Sequence, residues 1–261
     1  MAKIDEQTGG FSANWSELGI QKLLLVFIPG ILLWSSCVSE KPQLLLKEYY
    51  FPVESLENGL VYEYVPVSGD SLGSEYWFYK SIKDEGGWHF TGTFYDEYFQ
   101  VRQFFREDVF DNGTLMIDHF LYQPDSTGQS IRFPAQVRNP NGFPFELMDS
   151  SSVLLFELAW TFSESPLHRV TLTRNRQYRE KGDFSFEGKE TPIVIFDLKE
   201  KMDDEREGHL EKEYSGLEIY GKGIGLVYYR KDIGQGLNLE YQLKERYTME
   251  QFEDKFKAYI N

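Results

Sequence analysis

Leu237-Asn238-Leu239-Glu240-Tyr241-Gln242-Leu243-Lys244 puts apolar side chains at every second position and polar ones between them. That period of two is the mark of a strand with one wet face. Leu154, Phe156, Leu158, Trp160 and Phe162 repeat it with five large side chains on one face. Working outward, turn residues recur at short intervals. They are Ser68-Gly69-Asp70, Asp84–Gly87, Asp111-Asn112-Gly113, Asp125–Gly128, Asn139–Gly142, Lys181-Gly182-Asp183, Glu187-Gly188-Lys189 and Gly234-Gln235-Gly236. Strand-length segments separated by such turns describe an antiparallel meander. Tyr76-Trp77-Phe78-Tyr79 is aromatic on both faces, so this strand should be covered on each side. A helical turn is expected at residues 53–57. At the end of the chain Thr248 and Gln251 form a capping box, and Met249, Phe252, Phe256 and Tyr259 make a helical stripe expected to pack on the sheet. The expected fold is mainly β: an antiparallel meander forming a strongly curved sheet, a half-barrel or a sandwich, with a short C-terminal helix.

The start of the chain reads differently. Leu23–Trp34 is an apolar run of 12 residues, preceded by Lys22 and followed by Ser35-Ser36 and the only cysteine, Cys37. It is too short to span a bilayer, and Pro29-Gly30 disfavours an ordinary core helix. The pattern resembles a bacterial lipoprotein signal that ends in a lipidated cysteine, with Trp34 where Leu is usual. The resemblance implies a leader over residues 1–36, a lipidated Cys37 with a tether to residue 47, and one β-rich domain over 48–261 whose helix spans 248–260. The leader is long and not basic. Initiation near Leu18 from a non-AUG codon would leave Gly19-Ile20-Gln21-Lys22 before the apolar run. Val38 is not the Asp that retains some lipoproteins at the inner membrane, so the expected address is the outer membrane, at its periplasmic face or the cell surface.

Composition narrows the partners. A net charge of −15 repels phosphate backbones and anionic headgroups. Nucleic acid is therefore not an expected partner, and membrane attachment should rest on the N-terminal lipid. With Cys37 acylated, the domain has no disulfide and no thiolate chemistry. His89, His119, His168 and His209 are far apart in sequence, no His-x-x-x-His occurs, and no Gly-x-Ser-x-Gly elbow is present. No cofactor, no metal and no enzymatic activity are expected. His119 is read as a hydrogen-bonded core residue on the face of Leu115, Ile117 and Leu121.

Tyr220-Gly221-Lys222-Gly223-Ile224-Gly225-Leu226-Val227 does not fit a nucleotide loop and reads as a tight turn feeding a strand. Together with Phe51-Pro52 and Gly59-x-x-Tyr62-x-Tyr64, it resembles uncharacterised β-rich envelope lipoproteins of the Bacteroidota type. A more distant likeness in fold is to half-barrel lipoprotein carriers of the envelope. The family brings no catalytic residues. The implied role is a non-enzymatic scaffold or assembly component of the outer membrane, partnered by an envelope protein. The alternative is a carrier of a lipid or glycan. For the carrier, Trp77 and Trp88 are candidate stacking surfaces, and Arg174 and Arg176 are candidate anion-holding forks. The competing account of the arginines is cross-strand pairing with the acidic run that includes Asp197, Glu200 and Asp204. Ser71 and Ser126, in Asp70-Ser71-Leu72 and Asp125-Ser126-Thr127, resemble Bacteroidota O-glycosylation acceptors.

Overall fold

The computed structural model describes residues 44–67, 72–162 and 165–260, without the side chains of 258–260. The leader, Cys37 and Ser71 lie outside the described residues, as does the side chain of Tyr259. The strands are β1 (Leu44–Leu45), β2 (Leu60–Pro66), β3 (Glu75–Asp84), β4 (Gly87–Tyr95), β5 (Val101–Phe110), β6 (Gly113–Pro124) and β7 (Ser130–Pro144). They continue with β8 (Glu146–Leu147), β9 (Val153–Phe162), β10 (Ser165–Phe186), β11 (Lys189–Glu205), β12 (His209–Gly221), β13 (Gly225–Gly234) and β14 (Leu237–Tyr247), and helix α1 (Met249–Ile260) ends the described chain.

Apart from the short β1–β8 pair, the strands form one antiparallel meander in chain order, β2 to β14, which closes because β14 pairs with β2. The expected curved sheet is thus carried to a closed barrel of twelve strands. Two expected turns, at Asn139–Gly142 and Lys181–Asp183, lie inside β7 and β10. Gly142 is there because a Cβ would fall 2.2 Å from Thr114 Oγ1, so its role is close approach and not chain reversal. The real turns use left-handed backbone at Glu187-Gly188 and Gln235-Gly236. Outward positions of β11 carry Asp197, Lys199, Lys201 and Asp203, so the outer face of that strand is polar.

The segment before β2 closes one end of the barrel. Leu44–Leu45 pairs with β8, so the fold already takes up the chain before residue 48. Lys47–Tyr49 and Val53–Ser55 are single 3-10 turns, the second where a helical turn was expected. The backbone is fixed by Leu46 N donating to Phe145 O (2.8 Å), Gly223 N to Glu48 O (2.8 Å) and Ser81 N to Leu56 O (2.9 Å). Leu46, Tyr49, Tyr50, Phe51 and Leu56 are buried in the principal core, and the Phe51 ring lies 4.4 Å from that of Tyr79 and 4.8 Å from that of Phe90. All three motifs behind the family resemblance meet here. Tyr62 and Tyr64 donate to the carbonyls of Ile224 (2.9 Å) and Leu226 (2.8 Å), and a Cβ on Gly225, at φ +97°, would sit 2.4 Å from the Phe51 ring.

The aromatic strand β3 is covered on both faces, as expected. Trp77 and Tyr79 face the barrel interior, while Tyr76 and Phe78 lie under α1. The capping box forms: Thr248 N donates to Gln251 Oε1 (2.9 Å) and Gln251 N to Thr248 Oγ1 (3.2 Å). Phe252 and Phe256 pack on Tyr76 at 5.3 and 5.2 Å between ring centroids. Beneath the helix Glu63, 3% exposed, accepts from Tyr247 and Lys244 and pairs with Lys255. Phe252→Ala should therefore cost about 3–5 kcal/mol, read as a lowered urea midpoint, because it opens a cavity between α1 and β3.

Candidate functional site

Above the plug the barrel encloses a cavity of about 600 Å³. Residues of eleven of the twelve barrel strands line it, and its chemistry is divided. On β3 to β5 the wall is aromatic: Trp77 is near-parallel to Phe94 (5.0 Å, 20°) and to Tyr79 (5.7 Å, 12°), with Phe105 at 6.0 Å. On β10 to β13 it is charged. Arg174 donates from Nε to Glu200 (2.6 Å) and from Nη1 to Glu218 (3.4 Å), while Arg176 donates from Nε to Glu218 (2.9 Å) and from Nη1 to the Gly142 carbonyl (2.8 Å). Lys231 completes the set on Glu200.

The register explains why these groups meet. Across β9 to β12, Phe156, Arg174, Glu200 and Tyr214 are successive partners in one row, and the period of two puts Arg176 one inward step along β10. Gly216 faces Leu198 on one side and Lys231 on the other, and a Cβ there would fall 2.2 Å from the Arg230 carbonyl oxygen, so the glycine lets β12 and β13 approach beside the cations. The carboxylates lie deeper than the cations: Glu200 and Glu218 side chains are 3% and 8% exposed, Arg174 and Lys231 each 29%. An entering molecule meets positive charge, although the chain as a whole is strongly acidic. Burial raises the Glu200 pKa, but Arg174 and Lys231 outweigh it and bring it down to about 2. Glu107, also buried, is shifted the other way: burial raises its pKa from the ordinary value, against the opposing effect of Tyr50, which donates to it at 2.6 Å.

Of the sequence candidates, the fold brings Trp77, Arg174 and Arg176 into one lumen. Arg174 pairs across strands with Glu200 of the acidic run, as the competing account held, whereas Arg176 pairs with Glu218, outside that run; both pairings lie inside the cavity. Trp88 lies outside that lining, under Lys83 Nζ at 5.1 Å. Ser126 is exposed at the β6–β7 turn, where Asp125 Oδ1 accepts from Thr127 N at 2.8 Å. His119 departs from its reading. A β-bulge at Ile117 pairs Glu107 with Met116 but Arg106 with Asp118, so Met116, His119 and Leu121 face inward and Ile117 is exposed. His119 Nδ1 is buried with no hydrogen-bond partner among the described residues, and so is Trp160 Nε1. Neither was legible in sequence, because the bulge and the facing strand decide it. Asp203, His209 and Glu211 cluster at the surface, but Lys201 Nζ already sits between the two acids at 3.3 and 2.7 Å.

No protein-family model and no curated protein sequence matches the chain. Among solved structures it is similar to an inferred lipoprotein from Parabacteroides distasonis (8% identity, TM-score 0.46, covering 76% of this chain and 97% of that one). It is also similar to an inferred exported protein with a YmcC-like fold from Bacteroides fragilis (12%, 0.47, 76% and 98%). A third is the hypothetical lipoprotein YmcC from Escherichia coli (9%, 0.32, 72% and 86%). Two of the three are described as lipoproteins and one as an exported protein. At such identities and TM-scores the likenesses assign no function to this chain.

Two stability measurements probe the site. Glu218→Ala takes from Arg176 its carboxylate partner and from Arg174 one of two, and should cost about 3–5 kcal/mol in urea unfolding. Burial, then Arg174, brings the His119 pKa down from 6.5 to about 4. Below pH 6.5 the unfolded chain gains a proton that the folded chain refuses, so this contribution to stability is full above 6.5 and is lost as pH falls toward 4. Urea midpoints measured across that window should fall for the native protein and flatten for His119→Phe.

Proposed function

We propose that this chain is a non-enzymatic lipoprotein of the cell envelope, held at the outer membrane through Cys37, whose barrel lumen carries a small ligand. The observation that supports the carrier reading is the lumen itself: a blind cavity of about 600 Å³ with an aromatic wall facing a partly exposed cationic one. Binding sites of this size combine a mostly apolar lining with a few convergent polar groups. Non-enzymatic binding fits the state of the lumen carboxylates. Glu75 is held by Tyr229, Glu107 by Tyr50, Glu200 by Arg174 and Lys231, and Glu218 by both arginines and Tyr220. The anchor rests on the Leu23–Cys37 pattern, and the outer-membrane address on Val38.

Native mass spectrometry of the protein extracted gently from its own membrane tests the proposal. The expected species is Cys37–Asn261 plus an acylated glyceryl group, with a further small non-covalent mass that Lys231→Met loses. An intact leader with unmodified Cys37 sinks the anchor. A protein-sized companion that survives Lys231→Met, with no small mass, replaces the carrier by the scaffold or assembly role.

A further inference from the structure

Two buried ring nitrogens of lumen residues without a partner among the described residues, His119 Nδ1 and Trp160 Nε1, share a level. Register aligns His119 with Ala135 across β6–β7, and Gln136 with Ala159 across β7–β9. In antiparallel pairing this sets Ala135 beside Trp160, so His119, Ala135 and Trp160 form one transverse row. The small Ala135 stands between two large side chains whose buried ring nitrogens lack partners among the described residues. A buried N–H left unpaired costs about 1–3 kcal/mol, so such groups are retained where something else pairs them. Trp160 Nε1–H can only donate, and His119 Nδ1 accepts or donates according to tautomer. One group that accepts from the first and also serves the second is a hydroxyl. Acyl chains carry none.

The surroundings agree with that chemistry. Phe105 is the cross-strand partner of His119, and beyond it stand the near-parallel rings of Trp77, Tyr79 and Phe94. Flat aromatic faces stack on the C–H face of a pyranose ring. Toward the plug, Leu158, Leu172 and Met202 separate the row from Arg174 and Lys231. From Val170, the partner of Trp160, to Arg174 is four residues of one strand, roughly 13 Å. A ligand bridging both levels needs hydroxyls at one end and an anionic group at the other.

Resting on the carrier reading, we infer that the lumen takes an acidic oligosaccharide, with a hydroxyl between His119 and Trp160, a sugar face on the Trp77 platform and its carboxylate or other acidic group at Arg174 and Lys231.

The test is calorimetric titration of the full chain in detergent with trigalacturonic acid, sialyllactose, maltotriose and palmitate. At least one acidic sugar should bind and maltotriose should bind more weakly. Trp160→Phe, which keeps the ring and loses the donor, should weaken acidic-sugar binding about tenfold, as should Lys231→Met. Each variant is first checked for an unchanged urea midpoint, and Trp77→Phe serves as the second probe if Trp160→Phe fails that check. Palmitate binding without any sugar binding leaves the carrier and removes the saccharide. Sugar binding indifferent to Trp160→Phe, Trp77→Phe and Lys231→Met removes it too, since the site is then elsewhere. Binding of none of the four overturns both readings.

Discussion

Much of this structure depends on one contact, the Phe51 ring seated on Gly225. A side chain at 225 would occupy the space of the ring, and the left-handed backbone there suits glycine. With the ring in place the segment before β2 can enter the barrel end, and Tyr62 and Tyr64 can reach the carbonyls that flank the glycine. This fastens the first barrel strand to the turn and strand two places away across the β14–β2 seam. It also turns an open tube into a blind one. A ligand site needs a floor, and Tyr50 and Phe51 supply it.

The second constraint is electrostatic. Three cations and several carboxylates occupy the interior of an acidic protein, where each ion loses hydration worth several kcal/mol. Apolar residues of the same volume would fill that space at no such cost. The geometry offsets part of it through forked contacts from two arginines to one glutamate. What remains is a polarised lumen, with carboxylates sealed at the back and cations partly exposed in front. This arrangement does little for stability that leucines would not do. Its distinctive consequence is a set of fixed, partly exposed cations next to an aromatic wall.

The sequence made the strands legible through alternation and made α1 legible through its cap and stripe, since both are local. It also indicated two covers for Tyr76–Tyr79, because an aromatic strand face exposed to water is costly. It overcounted turns at Asn139–Gly142 and Lys181–Asp183, where glycine serves close approach or lies within a long strand. It put Ile117 and His119 on one face, because a single bulge residue inverts every side chain beyond it and leaves no compositional mark. Trp77 and Arg174 were visible as candidates but not as neighbours. Trp160 was visible only as a core residue.

By itself, then, the sequence determined a mainly β antiparallel chain with a C-terminal amphipathic helix, an acidic surface charge, and the Leu23–Cys37 pattern read as a lipid-anchor signal. Each follows from near-neighbour periodicity or composition, which a linear chain displays openly. Only the tertiary structure decided that the meander closes, that the segment before β2 plugs it, and that arginines, tryptophans and a histidine whose Nδ1 has no partner among the described residues face one cavity. Those are matters of register summed around twelve strands. A shift of one residue in any strand sends its side chains to the other side of the wall, and nothing local in sequence records that sum.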